Sequence, residues 1–548
     1  MHKTLIALAA SLLASPTFAD TLIDHANGIQ ADVQSRLEHF SGLLVGDDGK
    51  VIRVLRDGEP RPHAATVIDA GGRTLLPGMI DGHGHVMELG RDALQLDLVG
   101  TRSLAELQQR LRDYAAAHPD MKWIQGAGWN QELWPDKKYP TAADLDAVVP
   151  DRPVVLTRVD SHAILANTAA TRAAGITAET TSPPGGEVID GLFVDNAKPL
   201  ISRAIPAPTR AEQDEAFAKA QEILLSFGVT AVGSMSTSLD DWNAFRRAGD
   251  ANALKVRLMV YLLGLDPLNI IPHPTPWLYD DRLRAVGVKI FADGALGSRG
   301  AWLKQPYSDA PGTTGNQFHS EAEMRSLADT AASHGFQIAT HAIGDAANAQ
   351  VIRTYEWLDR KYGFNRRWRI EHAQVVDCAD LPSIGRGDMI ASMQPKHQTS
   401  DWQMAEKRMG LTRLKCAYAW RSMLKTGAHL AFGTDFPIES PNPFPGLSAA
   451  VSREDLNGQP PGGWFPAERL SLGQALHAYT RGSAYAGFAE DRIGALEPGK
   501  WADFILVDRD PTKVDAQALA RTQVLETWVG GKKVWSRAPS ASPAERGQ

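Results

Sequence analysis

Cysteine is scarce in this chain, with only Cys378 and Cys416 among 548 residues. That excludes a small disulfide-built fold, and without a Cys-x-x-Cys pair there is no zinc knuckle. The two residues can pair in an oxidising compartment or sit apart as small buried side chains, and the sequence leaves both open. Positive charge is also short. There are 57 Lys and Arg against 64 Asp and Glu, a formal net charge of −7, with both signs interspersed. The basic face that a nucleic acid requires is therefore missing. Long apolar runs are absent as well. The run Leu5 to Ser15 falls short of the roughly 20 residues of a spanning helix. His2 and Lys3 give it a short basic start, and Thr17-Phe18-Ala19 gives a small-residue cleavage site before Asp20. Residues 1–19 thus read as a secretory signal peptide. The expected mature protein begins at Asp20, is exported (to the periplasm in a Gram-negative source) and keeps no membrane segment.

What the chain does have is histidine at strand ends. His83-Gly84-His85 follows the apolar run Leu75–Ile80. Positions i and i+2 of a strand share a face, so two imidazoles can aim at one point, as metal ligands do. Later apolar strands end in His341, in His372 and in Asp435, and another, Val286–Ala292, carries Lys289. Eight strands can be counted: Thr74–Ile80, Gly228–Gly233, Val256–Leu263, Val286–Ala292, Phe336–Thr340, Trp368–Glu371, Met389–Met393 and Ala428–Gly433. Amphipathic, helix-like runs follow most of them, for example Glu321–His334 and Ala346–Tyr362. Such alternation predicts a distorted (β/α)8 barrel of the TIM type, over residues 75–489, with functional side chains at the C-terminal strand ends. The gap after the first strand is too long for a loop, so about 94–204 is expected to be an α/β insertion, placed to act as a lid. Short strand-like pieces within 20–74 and again within 490–538 are each too small to bury a sheet alone, and together can form one composite β-sandwich. Residues 539–548, rich in Ser, Pro and Ala, are expected to be disordered.

The wording of several motifs resembles the amidohydrolase superfamily, and within it the amidohydrolase-3 family that includes N-substituted formamide deformylase. The matching phrases are Pro77-Gly78-Met79-Ile80-Asp81-Gly82-His83-Gly84-His85, Arg158–His162, Pro183–Gly186, Gly287-Val288-Lys289 with Asp293–Arg299, Ile370–Gln374 and Gly433-Thr434-Asp435-Phe436-Pro437. The resemblance implies the composite sandwich beside the barrel. It implies one or two divalent ions, zinc in the first place, held by His83, His85, Lys289, His341, His372 and Asp435. It also implies that Lys289 has added carbon dioxide to become an anionic ligand, whereas the residues alone leave open an ion pair with Asp435. Asp435 could merely cap a helix, but at the last strand beside four histidines it suits a proton shuttle for a metal-activated water. The expected activity is hydrolysis of a carbon–nitrogen bond in a small non-peptide amide. A non-hydrolytic isomerase or decarboxylase, or an inactive exported regulator, stays open, as does a homodimer. His162, His397 and Asp401 resemble family pocket motifs that touch substrate or hold loops. Trp129 and Trp134 could line an apolar pocket in the insertion. By strand alternation Glu371 faces away from His372 and reads as structural.

Overall fold

The computed structural model describes residues 20–159, 162–177, 179–183 and 186–538. The expected signal peptide and C-terminal tail lie outside them. The centre of the molecule is an eight-stranded parallel sheet in which each strand neighbours the next in the chain. Its strands are Met79–Gly84, Val229–Thr237, Arg257–Leu263, Leu283–Phe291, Gln337–Ala342, Arg369–His372, Ile390–Met393 and His429–Phe432. These strands are apolar and almost wholly buried, as parallel strands covered on both faces must be. Ile80, Ala231, Met235, Met259, Tyr261, Val286 and Ala339 fill the interior together. Helices such as Arg210–Ser226, Glu321–Ser333 and Asp345–Tyr362 lie between consecutive strands and pack outside. The result is a TIM-barrel-like α/β fold.

The barrel is distorted at its seam. The first and last strands share no ladder among the described residues, and side chains and loop backbone close the gap. Thr434 donates to Asp81 through its backbone N–H at 3.1 Å and its hydroxyl at 2.7 Å. Asp435 N–H donates to the His83 carbonyl, and His85 N–H to the Phe436 carbonyl, both at 2.8 Å. The seam therefore ties the His-x-His strand to the loop that carries Asp435.

The first barrel strand starts later than the sequence suggests. Thr74–Pro77 belongs to another sheet, where Leu76 pairs with Ile505. The chain crosses into the barrel at Gly78, where a Cβ would stand 2.3 Å from the Thr230 hydroxyl. The expected strand Thr74–Ile80 is thus two strands with a handover at Pro77-Gly78, and the barrel strand includes His83 itself. The other sheet has six strands, built from 27–40, 74–77 and 504–536, and faces a four-stranded sheet from 21–69. Ile23, Leu43, Val45, Leu75, Phe504, Leu506 and Trp528 pack between them. A further six-stranded sheet spans Leu96–Asp97 to Leu192–Asp195 and has its own core around Leu107, Leu111, Ile124, Leu156 and Leu165. Cys378 and Cys416 form a disulfide with Cα atoms 5.4 Å apart.

Candidate active site

Five of the barrel strands, or the turns directly after them, bring the candidate side chains to the C-terminal mouth. His83 is fully buried, and its Nδ1 lies 2.5 Å from Glu371 Oε2. With Nδ1–H donated to that carboxylate, Nε2 carries the lone pair and points to the centre. There it stands 3.3 Å from Asp435 Oδ1 and 3.4 Å from Lys289 Nζ. His85 Nε2 reaches the same Asp435 oxygen at 3.1 Å. His372 Nδ1 is 2.8 Å from Gln394 Oε1, which leaves its Nε2 free in the same way. The His372 ring lies 4.8 Å from that of His83 and 4.6 Å from that of His341. Lys289, His83, His372 and Asp435 are all buried, His85 and His341 nearly so.

The Glu371 expectation is corrected here. Regular alternation does put Arg369 and Glu371 on the interior face, and would turn His372 outward. His372 instead takes φ +72° and Ala373 φ +41°, which swings the imidazole back over the mouth. Glu371 then lies beneath the site as the residue that orients His83. Its other oxygen accepts from Arg369 Nε at 2.7 Å, and Arg369 donates onward to Tyr261, Gly82 O and Ser392. Two charged residues two apart in an apolar strand were the signal for this pair, since each buried charge needs the other.

The electrostatics sort the donors. Burial, with Lys289 nearby, pushes His341 down to about 3. Burial likewise holds His372 well below its usual value, so both are neutral imidazoles. Burial lowers Lys289 to about 8, against the pull of Glu371 and Asp435, and the described residues give its amine no carboxylate partner. Burial alone would raise Asp435, but His83 and His85, which contact its carboxylate directly, outweigh it and hold the carboxyl well below its ordinary range. Neutral imidazoles at His341 and His372 beside an ionised Asp435 are what a divalent cation requires. Among the described residues, His341 Nε2 and His397 Nε2 are buried without a hydrogen-bond partner, a costly state that a cation would relieve. His83, His85 and Asp435 form one group of ligand atoms within 4.8 Å of one another, and His372, His397 and Asp435 form a second. The residues present fit a metal centre.

The remaining candidates divide. His397 lies on the helix Pro395–Met409, with Nε2 3.8 Å from Asp435 Oδ2. Asp401, one turn further on, accepts from Tyr418 Oη at 2.9 Å and Gln374 Nε2 at 3.2 Å, and so anchors that helix. The disulfide fastens the segments bearing Gln374 and Tyr418 to each other. His162 belongs to neither ligand group; it is exposed in the insertion and paired with Asp195 at 2.7 Å. Trp129 does not line a pocket. It is fully buried in the insertion's core and donates to the Leu156 carbonyl, and Trp134 likewise donates to Thr101. An indole whose N–H finds a backbone carbonyl is as content in a core as at a site.

The mouth also contains Phe291 and Leu263, which the motifs did not single out, and Asp293, which opens one of them. The Phe291 ring lies 5.1 Å from Lys289 Nζ and 5.3 Å from the His341 ring. Leu263 is the register partner of Lys289, so it faces the mouth, and it is 45% exposed. Asp293, fully buried, accepts from the N–H groups of Trp302, Ile343 and Gly344 and stands 3.6 Å from His341 Nε2. A strand-end residue facing a ligand could have been found by counting two on from Lys289, which gives Phe291; Leu263 needed the register.

A parallel barrel that gathers histidines and an aspartate from several strand ends at one mouth defines a barrel protein with a candidate metal centre. The chain belongs to the amidohydrolase family, whose model matches residues 66–535. It is 33% identical over 486 residues to the putative amidohydrolase YtcJ of Bacillus subtilis, covering 86% of this chain and 90% of that one. It is 28% identical over 554 residues to the N-substituted formamide deformylase of Arthrobacter pascens, covering 95% and 99%. Among solved structures, an uncharacterized metal-dependent hydrolase from Pyrococcus horikoshii OT3 superposes with a TM-score of 0.78 at 30% identity, over 91% of this chain and 99% of that one.

Proposed function

We propose that the protein is an exported metal-dependent hydrolase that cleaves a carbon–nitrogen bond in a small, non-peptide amide. The observation that carries this reading is Asp435 Oδ1, poised between His85 Nε2 at 3.1 Å and His83 Nε2 at 3.3 Å in a mouth of neutral imidazoles. A divalent ion, zinc in the first place, would be held by His83, His85, His341, His372 and Asp435; its Lewis acidity polarises a carbonyl and brings the pKa of water to about 7. The chain's own residues do the rest. Glu371 and Gln394 lock His83 and His372 in the tautomer that presents Nε2. Asp435 accepts a proton from the attacking water at a carboxylate oxygen and hands it to the departing nitrogen. One C–O bond forms and one C–N bond breaks, giving an acid and an amine.

Two finer points belong to the same reading. Lys289, with its buried amine lowered to about 8, can take up carbon dioxide as a neutral amine, losing a proton and becoming a carbamate ligand. Leu263 and Phe291 offer apolar surface to the part of the substrate that does not react. The disulfide between Cys378 and Cys416 supports export, because such bonds persist in oxidising compartments. The test is a panel of amides, esters and lactams incubated with metal-loaded protein, with all products identified. One amine and one acid per bond cleaved is the expected result. Conversion of a substrate without net addition of water would instead make the protein an isomerase or a decarboxylase.

A further inference from the structure

We propose that a cleft between the first two barrel strands is a substrate subsite for a neutral oxygen acceptor, a hydroxyl or carbonyl group carried beside the bond that is cut. This rests on the hydrolase reading above and names a feature that its substrate should have. The cleft has a volume of about 80 Å³, and its walls include His85, Glu88, Arg91, Ser236, Asp241 and Phe245. One water needs only ~10–15 Å³ of such space, so a group of several heavy atoms has room. Two polar atoms on these walls, Ser236 Oγ and Arg91 Nε, are buried and have no hydrogen-bond partner among the described residues. A buried donor left unpaired is costly, and a ligand oxygen would relieve both. The neighbouring hydroxyls of Ser234 and Thr237 lie 3.1 Å apart and satisfy each other. Ser236 Oγ and Arg91 Nε are therefore the spare donors of this wall.

The backbone is shaped around that hydroxyl. The strand Val229–Thr237 slips its register against Arg257–Leu263, with Ser234 opposite Val260 and Thr237 opposite Leu262, so one residue is extra. The bulge lies at the mouth end of the strand, where an inserted residue re-aims a side chain. Inside it Ser236 takes φ +53°, which a residue other than glycine holds only at a cost. Charge decides the class of group. Arg91 Nη2 donates to Asp241 Oδ1 at 2.6 Å, so the guanidinium is already matched, and Glu88 adds a negative charge to the same wall. A carboxylate would find no net positive charge there to offset its loss of water. A hydroxyl or carbonyl oxygen carries no such cost and can accept from both donors.

The experiment compares matched amides on the zinc-loaded protein. Starting from the amide that turns over fastest in the panel above, one hydroxyl, one carboxamide or one carboxylate is added next to the scissile bond, on the acyl or on the amine side. In wild type the hydroxyl or carboxamide derivative should exceed its parent in kcat/KM by ~10–100-fold, the worth of pairing buried donors, and the carboxylate derivative should not. Ser236→Ala, Ser236→Gly and Arg91→Lys should each reduce that preference at least ~10-fold, mainly through the KM of the derivative. Glycine is at ease at φ +53°, and lysine keeps a positive charge beside Asp241, so these two variants remove a donor without straining the fold. Equal kcat/KM for the parent and its neutral derivatives on both sides, a preference for the carboxylate, or a preference that survives in the Ser236 or the Arg91 variants overturns the proposal. A protein that hydrolyses no amide defeats the functional reading and this inference with it, whereas one that hydrolyses amides without such a preference defeats this inference alone.

Discussion

Asp435 and the histidines differ in what their loss should do. Asp435 is the proposed proton carrier and shares its ligand role with several imidazoles, so Asp435→Asn keeps the shape of the site and removes only the base. Most metal should stay and turnover should fall by about 10²–10⁴, the usual worth of a placed general base. His341→Ala should lose metal and turnover together. Both are read by elemental analysis beside steady-state kinetics, and near-normal turnover in Asp435→Asn with full metal would move the acid–base role to His397 or Asp401. Glu371 offers a second test at this scale. Burial alone would raise its pKa, but Arg369 and His83 outweigh that and hold it well below the ordinary range. Its folded pKa is depressed, so its stabilising contribution is complete above the unfolded value of about 4.3 and is lost as pH falls through the folded one. Glu371→Gln should therefore bind metal about 10–100-fold more weakly. Melting temperatures of metal-free protein against pH should also fall more steeply below about pH 4 in wild type than in the variant. Parallel acid limbs would show that the Glu371 pairing adds no pH-dependent stability.

At the scale of elements, the barrel strands were legible because each is a short, apolar run and most are followed by an amphipathic helix. The metal-type residues were legible because they end those runs. What the sequence could not reveal is geometry that breaks the pattern. The handover at Pro77-Gly78 is invisible in a continuous apolar run, and only the pairing of Leu76 with Ile505 separates the two strands. The positive φ at His372 reverses the face that alternation assigns. Trp129 was misplaced because an indole gives the same signal in a core as in a pocket. The pairing of Cys378 with Cys416 depends on two loops meeting across 38 residues of chain. That bond leads to a prediction at this scale. Closing a loop of that length limits the unfolded chain and contributes about 2–4 kcal/mol. The Cys378→Ser, Cys416→Ser double variant should lose about that much in denaturant unfolding. It should also loosen the Tyr418–Asp401 contact that anchors the His397 helix, so KM should rise more than kcat falls. Unchanged stability would show that packing alone holds the two loops.

For the whole molecule, export and metal chemistry are the two claims. If residues 1–19 are a cleaved leader, N-terminal sequencing of secreted or periplasmic protein should begin at or next to Asp20, and an intact Met1 would contradict export by this route. The central claim is that a divalent ion at the barrel mouth is what makes this chain a hydrolase. Its most direct test is the metal content and amide turnover of the His83→Ala, His85→Ala double variant beside wild type, both metal-stripped and reloaded with zinc. The account predicts that wild type regains metal and turnover together, while the double variant loses the ion held by those two histidines and nearly all activity. Full metal content in the double variant, or wild-type turnover that survives complete metal removal, would contradict it.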